Sequence, residues 1–258
     1  MMRISSTVAR LRSIEKISRR ALATILVPQC ACCRQEHHLP SRLCAVCLAS
    51  LRSTLCPRSI RLPNDLAYHY SRTKERITIT SAQHIAGISQ LHSIFFYRDV
   101  VPDLVIRWKY DGMVELTNLI ASWVASHCQI SASYDLATIV PCHWRRRLTL
   151  GFDHMWLLAN ALAKTGLIEP PTKTLKHSKP IPFLHLQAAS DRHIDPDHFH
   201  TVCSVKGNRI LIIDDVITSG TTLKAAAAAL KRDGAAEVSA LTVATARELL
   251  LPTSRTRV

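Results

Sequence analysis

Two acids, Asp214 and Asp215, follow the apolar run Ile210–Ile213, and a string of small polar residues, Thr218, Ser219, Gly220, Thr221 and Thr222, comes shortly after. The run of β-branched and branched residues reads as a buried strand with the acids at its end. Leu223–Arg232, with alanines at 225–229, reads as a helix. A helix start offers unpaired backbone N–H groups and the positive end of a dipole, which suits an anion such as a phosphate. Gly220 lets the backbone approach that anion closely. The hydroxyls of Thr218, Ser219, Thr221 and Thr222 add donors. Asp214 and Asp215 stand where carboxylates can accept hydrogen bonds from sugar hydroxyls. Strand, paired acids, small-residue loop and helix together have the chemistry to hold a ribose 5-phosphate.

A second set of residues carries metal chemistry. Cys30-x2-Cys33 is followed after ten residues by Cys44-x2-Cys47. Each pair can turn two thiolates to one side of a knuckle, and two knuckles supply the tetrahedral S4 shell that Zn²⁺ favours. Disulfides need an oxidising compartment, and nothing in the sequence reads as an export signal; a single Cys-x-x-Cys leaves redox chemistry open, whereas two favour a structural metal. Cys32 is a spare thiol inside the first knuckle, His37 and His38 lie within reach of it, and Cys56 looks like half of a further knuckle. Cys128, Cys142 and Cys203 are expected to be buried small apolar residues.

A third set is Arg145, Arg146 and Arg147, just past the strand expected over Asp135–Val140. Arg triplets are commonly solvated charge runs. Ligands of open α/β sheets bind outside the carboxyl ends of strands, however, and at such a place these guanidinium groups suit a pyrophosphate.

The elements that must position these residues are legible in outline. Val101–Tyr110 places Val101, Leu104, Val105 and Trp108 at helical spacing, with Lys109 beside them. Glu115–His127 reads as an apolar helix. Asp153 is a candidate N-cap for a helix over Met155–Lys164. Glu237–Thr245 reads as the last strand, and the tail from Pro252 as a frayed basic end. Thr172–Thr201 is long and rich in Lys, His and Pro; a segment of this length is expected to be a mobile cover over bound substrate. Its five histidines are irregularly spaced, which argues against a metal site.

The string Ile210–Thr222 resembles the phosphoribosyl pyrophosphate (PRPP) signature of the type I phosphoribosyltransferases. The resemblance implies ribose contact by Asp214 and Asp215 and a 5-phosphate loop at 218–222. The order of the four-cysteine module, Pro141-Cys142-His143-Trp144-Arg145-Arg146-Arg147 before Gly151-Phe152-Asp153, and this signature resembles the ComF family (ComFC or GntX-like), from about Ile25 to Ala246. It implies an α/β fold with a parallel, type I phosphoribosyltransferase-like sheet and a small N-terminal zinc finger. It further implies Mg²⁺ with PRPP if the protein is active, a role in DNA uptake during natural transformation, and a helicase-like ATPase partner. In the mobile segment only Arg192 matches the family pattern clearly. Leu184, Gln187 and Asp195 stand near its other positions.

The chain of 258 residues has 33 Lys and Arg against 19 Asp and Glu, a net charge of +14. Residues 1–61 carry eleven basic and two acidic residues. That front-loaded charge suits a polyanion, most simply single-stranded DNA, although basic surfaces also aid solubility. No stretch approaches the roughly 18 uninterrupted apolar residues of a membrane span. The expected organisation is a basic amphipathic arm over 1–28, a zinc-finger module over 29–61, a linker over 62–92 and a phosphoribosyltransferase-like domain over 93–258, in a cytoplasmic protein. Transfer of a phosphoribosyl group, with Asp214 and Asp215 placing the ribose, stands beside a non-catalytic DNA- or partner-binding scaffold on the same fold. A purine-salvage or glutamine-dependent transferase is a third reading, and the chain shows no N-terminal Cys nucleophile domain to release ammonia from glutamine.

Overall fold

The structure is a computed structural model that describes residues 29–38, 41–56, 60–61, 68–72, 75–79, 85–128, 130, 134–141, 151–178 and 196–246. The arm over 1–28, Arg145–Arg147, Cys142, Arg192 and the tail from Pro252 lie outside them.

Five strands form the central sheet: β1 (Ile60–Arg61), β4 (Gln90–Phe96), β5 (Leu136–Ile139), β8 (Arg209–Ile217) and β9 (Glu237–Thr245), in the order β1-β4-β9-β8-β5. β4, β9, β8 and β5 run parallel, and β1 is antiparallel to β4 at one edge. Successive residues of a strand point to opposite faces. On β8, Leu211 and Ile213 pack into one core and Ile210 and Ile212 into another. Both faces of β8 are covered, which is why its apolar residues run without interruption.

The first core lies under three helices, α2 (Val101–Tyr110), α3 (Leu116–His127) and α4 (His154–Lys164). Trp108 of α2 is fully buried there, donates from Nε1 to Thr117 Oγ1 at 3.0 Å and meets the His154 ring edge-on with centroids 4.9 Å apart. Asp153 caps α4, accepting from the Trp156 amide at 3.2 Å, and so fixes its first turn. The second core lies under α5 (Thr221–Arg232), whose buried face is largely alanine. Small residues let this helix lie close against its neighbours: a Cβ on Gly87 would come within 3.2 Å of Ala227 Cβ.

The four-cysteine segment does not stand apart from this body. Its helix α1 (Ala45–Ser53) buries Cys47 and Leu51 in the first core, together with Cys30, Ala31, Cys32 and Leu43. The chain after α1 adds to the edge of β4: the Cys56 amide donates to Ile94 O and the Phe96 amide to Thr54 O, both at 2.7 Å. Within the stretch 62–92, β2 (Tyr68–Arg72) and β3 (Glu75–Ile79) pair as an antiparallel hairpin, and Gln90–His92 already belong to β4. The β-branched and aromatic residues scattered among its polar ones favour extended backbone.

The long segment 172–201 ends in a two-stranded stem, β6 (Leu175–His177) against β7 (Phe199–Thr201). Arg232 at the end of α5 ties this stem down, pairing with Asp197 and donating to Phe199 O at 3.1 Å. Of the segment expected to move, 172–201, residues 179–195 lie outside the described residues. Cys128 is buried as expected. Cys203 is exposed, contrary to expectation, because it follows the β6–β7 stem rather than entering a core.

Candidate functional site

β8 runs through both acids to Ile217, and α5 starts at Thr221, two residues earlier than the apolar pattern indicates. Gly220 therefore forms the N-cap of α5, at φ +77°, in the left-handed region that suits glycine. Gly220 has no side chain to cap the helix, and the Ser219 hydroxyl accepts from the Thr221 amide at 3.4 Å. Thr218 and Ser219 are exposed, and Thr221 and Thr222 are half-buried in the first turn. The hydroxyls of Ser219 and Thr221 lie 2.7 Å apart. An open pocket is lined by Asp214, Thr218, Ser219, Gly220, Thr221 and Thr222 with their apolar neighbours. The expected phosphate loop and one of the two expected carboxylates thus stand together. A Cβ on Gly220 would lie 3.2 Å from Ile85 Cδ1, so the loop also rests tightly on the residue beneath it.

Asp215 goes elsewhere. It turns to the face under α2 and α4, where its Oδ2 pairs with Lys109 Nζ and sits 3.2 Å from His154 Nε2. The Lys109 and Asp215 side chains are each only 13% exposed, and His154 is buried. Burial pushes the Asp215 carboxyl up, but the Lys109 ammonium and the His154 ring outweigh it and hold the group well below the usual carboxylate range. Burial also raises the nearby Tyr97 phenol. Neither Lys109 nor His154 has a role in the sequence pattern as read above. The one signal that marks them is placement: a lysine directly after a buried tryptophan, and a histidine directly after an N-cap.

Cys30, Cys33, Cys44 and Cys47 bring their four Sγ atoms within 4.8 Å of one another. A tetrahedral ZnS4 centre with Zn–S of about 2.3 Å has S···S edges of about 3.8 Å, and Cys33 Sγ and Cys44 Sγ are 3.7 Å apart. Backbone amides turn inward on the sulfurs: Cys32 N and Cys44 N approach Cys30 Sγ at 3.4 and 3.3 Å, and Cys47 N approaches Cys44 Sγ at 3.4 Å. These contacts stabilise thiolates, the form that binds metal. The cluster is able to hold a metal ion. Cys32 is no part of it: its thiol points to Val100 O at 4.0 Å, and burial pushes it up to about 12. His37 and His38 are not in the cluster either. Cys56 is half-buried at the edge of β4, and burial raises its thiol to about 12 as well.

Among the described residues, no helix is long and apolar enough to cross a membrane. No curated protein matches the chain. Similar solved structures include a phosphoribosylpyrophosphate synthetase from Mycobacterium smegmatis (18% identity, TM-score 0.28, covering 54% of this chain and 33% of that one). The allosteric regulatory enzyme of purine biosynthesis is another (16%, TM-score 0.33, covering 54% and 30%). A third is a glutamic acid mutant from an analysis of an invariant aspartic acid in HPRTs (12%, TM-score 0.28, covering 54% and 70%). The chain thus spans about a third of the length of the first two. Residues 171–256 match the family model of the phosphoribosyl transferase domain. With the strand order and the helices on both faces of the sheet, that match identifies a type I phosphoribosyltransferase-like α/β fold, here joined to a four-cysteine cluster able to hold a metal ion.

Proposed function

We propose that the chain binds PRPP or a related phosphoribosyl compound at the start of α5. The observation that carries this reading is the pocket in which Asp214 faces the loop Thr218–Thr222 at a helix N-terminus whose N-cap is a glycine. The 5-phosphate would take the loop amides and hydroxyls, and Asp214 would accept from the ribose hydroxyls. Mg²⁺ would accompany the pyrophosphate, and Arg145–Arg147 and Arg192 would contribute from outside the described residues. If the group is transferred, the protein acts by positioning and by electrostatic support of charge developing at the ribose C1. Zn²⁺ is the ion proposed for the four cysteines. Free thiols arranged for a metal suit a reducing, cytoplasmic setting.

Calorimetric titration with PRPP and Mg²⁺ tests the site. Asp214→Asn is expected to weaken binding by about 10- to 100-fold, the worth of a hydrogen bond to a charged group, with the melting temperature unchanged. Gly220→Ala is expected to weaken it by about tenfold and to lower the melting temperature by a few degrees, since a side chain at positive φ costs about 1–2 kcal/mol. No binding by the wild type would exclude the reading.

The finer reading is a ComF-type protein of DNA uptake, acting with single-stranded DNA and a helicase-like ATPase. Its support is the order of motifs and the charge of residues 1–61. The same charge favours a second reading, a non-catalytic DNA- or partner-binding scaffold on this fold. DNA affinity that falls steeply with salt, without any phosphoribosyl transfer, would favour the scaffold. No DNA binding at low salt would count against both uses of the basic arm.

A further inference from the structure

Lys109, Asp215 and His154 form a buried charged cluster directly beneath the strand that ends in the phosphate loop, and the binding reading gives it no task. We propose that Asp215 is the fixed anion of a positioning cluster held by Lys109 and His154, and that Asp214 alone of the two acids meets the sugar. This rests on the phosphoribosyl reading of the loop.

Both carboxylate oxygens of Asp215 are already engaged. Oδ2 takes Lys109 Nζ and His154 Nε2, and Oδ1 accepts from the Val216 amide at 2.5 Å. Among the described residues His154 Nδ1 is buried with no hydrogen-bond partner. The tautomer with hydrogen on Nε2 satisfies that geometry, since it donates to Asp215 and leaves no buried N–H orphaned. The two bases come from elements that cannot easily move. Lys109 follows Trp108, which is locked in the core by Thr117, and His154 opens a helix fixed by Asp153.

The path from this cluster to the pocket is short and covalent. The Asp215 amide donates to Asp214 Oδ1 at 2.9 Å, so the place of Asp215 sets the carboxylate that lines the pocket. On the other side, the Val216 amide held by Asp215 Oδ1 leads through Ile217 into Thr218. Lys109 and His154 are therefore positioning residues. They act on the ligand through the backbone of β8, without touching it.

A variant cycle on the full chain, purified with Zn²⁺, tests this by melting temperature and by calorimetry with PRPP and Mg²⁺. Lys109→Met and Asp215→Asn each leave a buried charge without its partner. Each is expected to lower the melting temperature by about 10 °C and to weaken PRPP binding at least about tenfold. The double variant Lys109→Met/Asp215→Asn removes both charges at similar volume, keeps an oxygen that can accept from the Val216 amide, and is expected to regain most of both losses. A double variant that melts like the wild type but binds as poorly as Asp214→Asn would overturn the proposal, because Asp215 would then be a direct ligand. A double variant that does not fold would overturn it too, since a pair of opposite charges is replaceable by neutral side chains that keep the remaining hydrogen bonds. Absence of PRPP binding by the wild type would instead remove the reading of the site, and the positioning role with it.

Discussion

Stripping the metal from Cys30, Cys33, Cys44 and Cys47 is expected to destabilise the whole chain, not a detachable finger. An independent module would melt by itself and leave the sheet intact. Here Cys30, Cys47, Leu43 and Leu51 share one core with Phe95, Trp108, Leu211 and Ile213, and Thr54–Cys56 is hydrogen-bonded along β4. A structural Zn²⁺ site is worth about 10–16 kcal/mol in small peptides, which rivals the 5–15 kcal/mol total stability of an ordinary domain. Addition of a strong chelator is therefore expected to lower the main melting transition by more than about 10 °C. The near-ultraviolet signals of Trp108 and Trp123, both packed around this core, should fade in the same step. Cys44→Ser should reproduce the effect. Cys32→Ser should not, because that thiol faces Val100 O outside the cluster. A separate low-temperature transition that leaves the tryptophan signals in place would show that the module folds alone.

Lys109→Met is expected to be among the most damaging single changes near the pocket at the start of α5. Removing one partner of a buried ion pair costs about 3–5 kcal/mol, mostly because the other charge is left in a poor solvent. The pH dependence gives the cause away. The native Asp215 carboxyl lies below its unfolded value, so in the wild type its contribution is fully present above about pH 4 and is lost as pH falls from there through the native value. In Lys109→Met the ammonium that opposed burial is gone, while burial, His154 and the Tyr97 phenol remain around the acid. Protonation then relieves the variant. The gap in urea midpoint between wild type and variant should be widest near pH 7 and should narrow below about pH 5. A gap that stays constant down to pH 3 would mean that the lysine acts by packing and not by charge.

These expectations concern a cluster that the residue pattern does not announce. Lys109 and His154 are unremarkable in their local settings, and they reach Asp215 across 106 and 61 positions of chain. The division between Asp214 and Asp215 was nearer to hand. Once the strand is carried through to Ile217, the two-residue period of a strand already sends neighbouring acids to opposite faces. A strand that ends at Ile213 leaves both acids in the same loop. The hairpin over 68–79 is not legible in the sequence for a related reason: its polar residues and irregular spacing read as linker, and strand pairing is a property of two segments rather than one.

What the sequence determined by itself is local. The apolar run of β8, the alanine face of α5, the glycine at its start, the helix over Val101–Tyr110 and the paired cysteine spacings all depend on residues a few positions apart. Short-range periodicity, turn geometry and ligand spacing therefore make them legible. The tertiary structure alone decided that the cysteine segment shares the main core, that Cys32 turns away from the sulfurs, and that Asp215 pairs with Lys109 and meets His154. Each of these is a contact between groups distant along the chain. Its energy comes from burial and charge compensation, which exist only once the sheet and helices have closed around them.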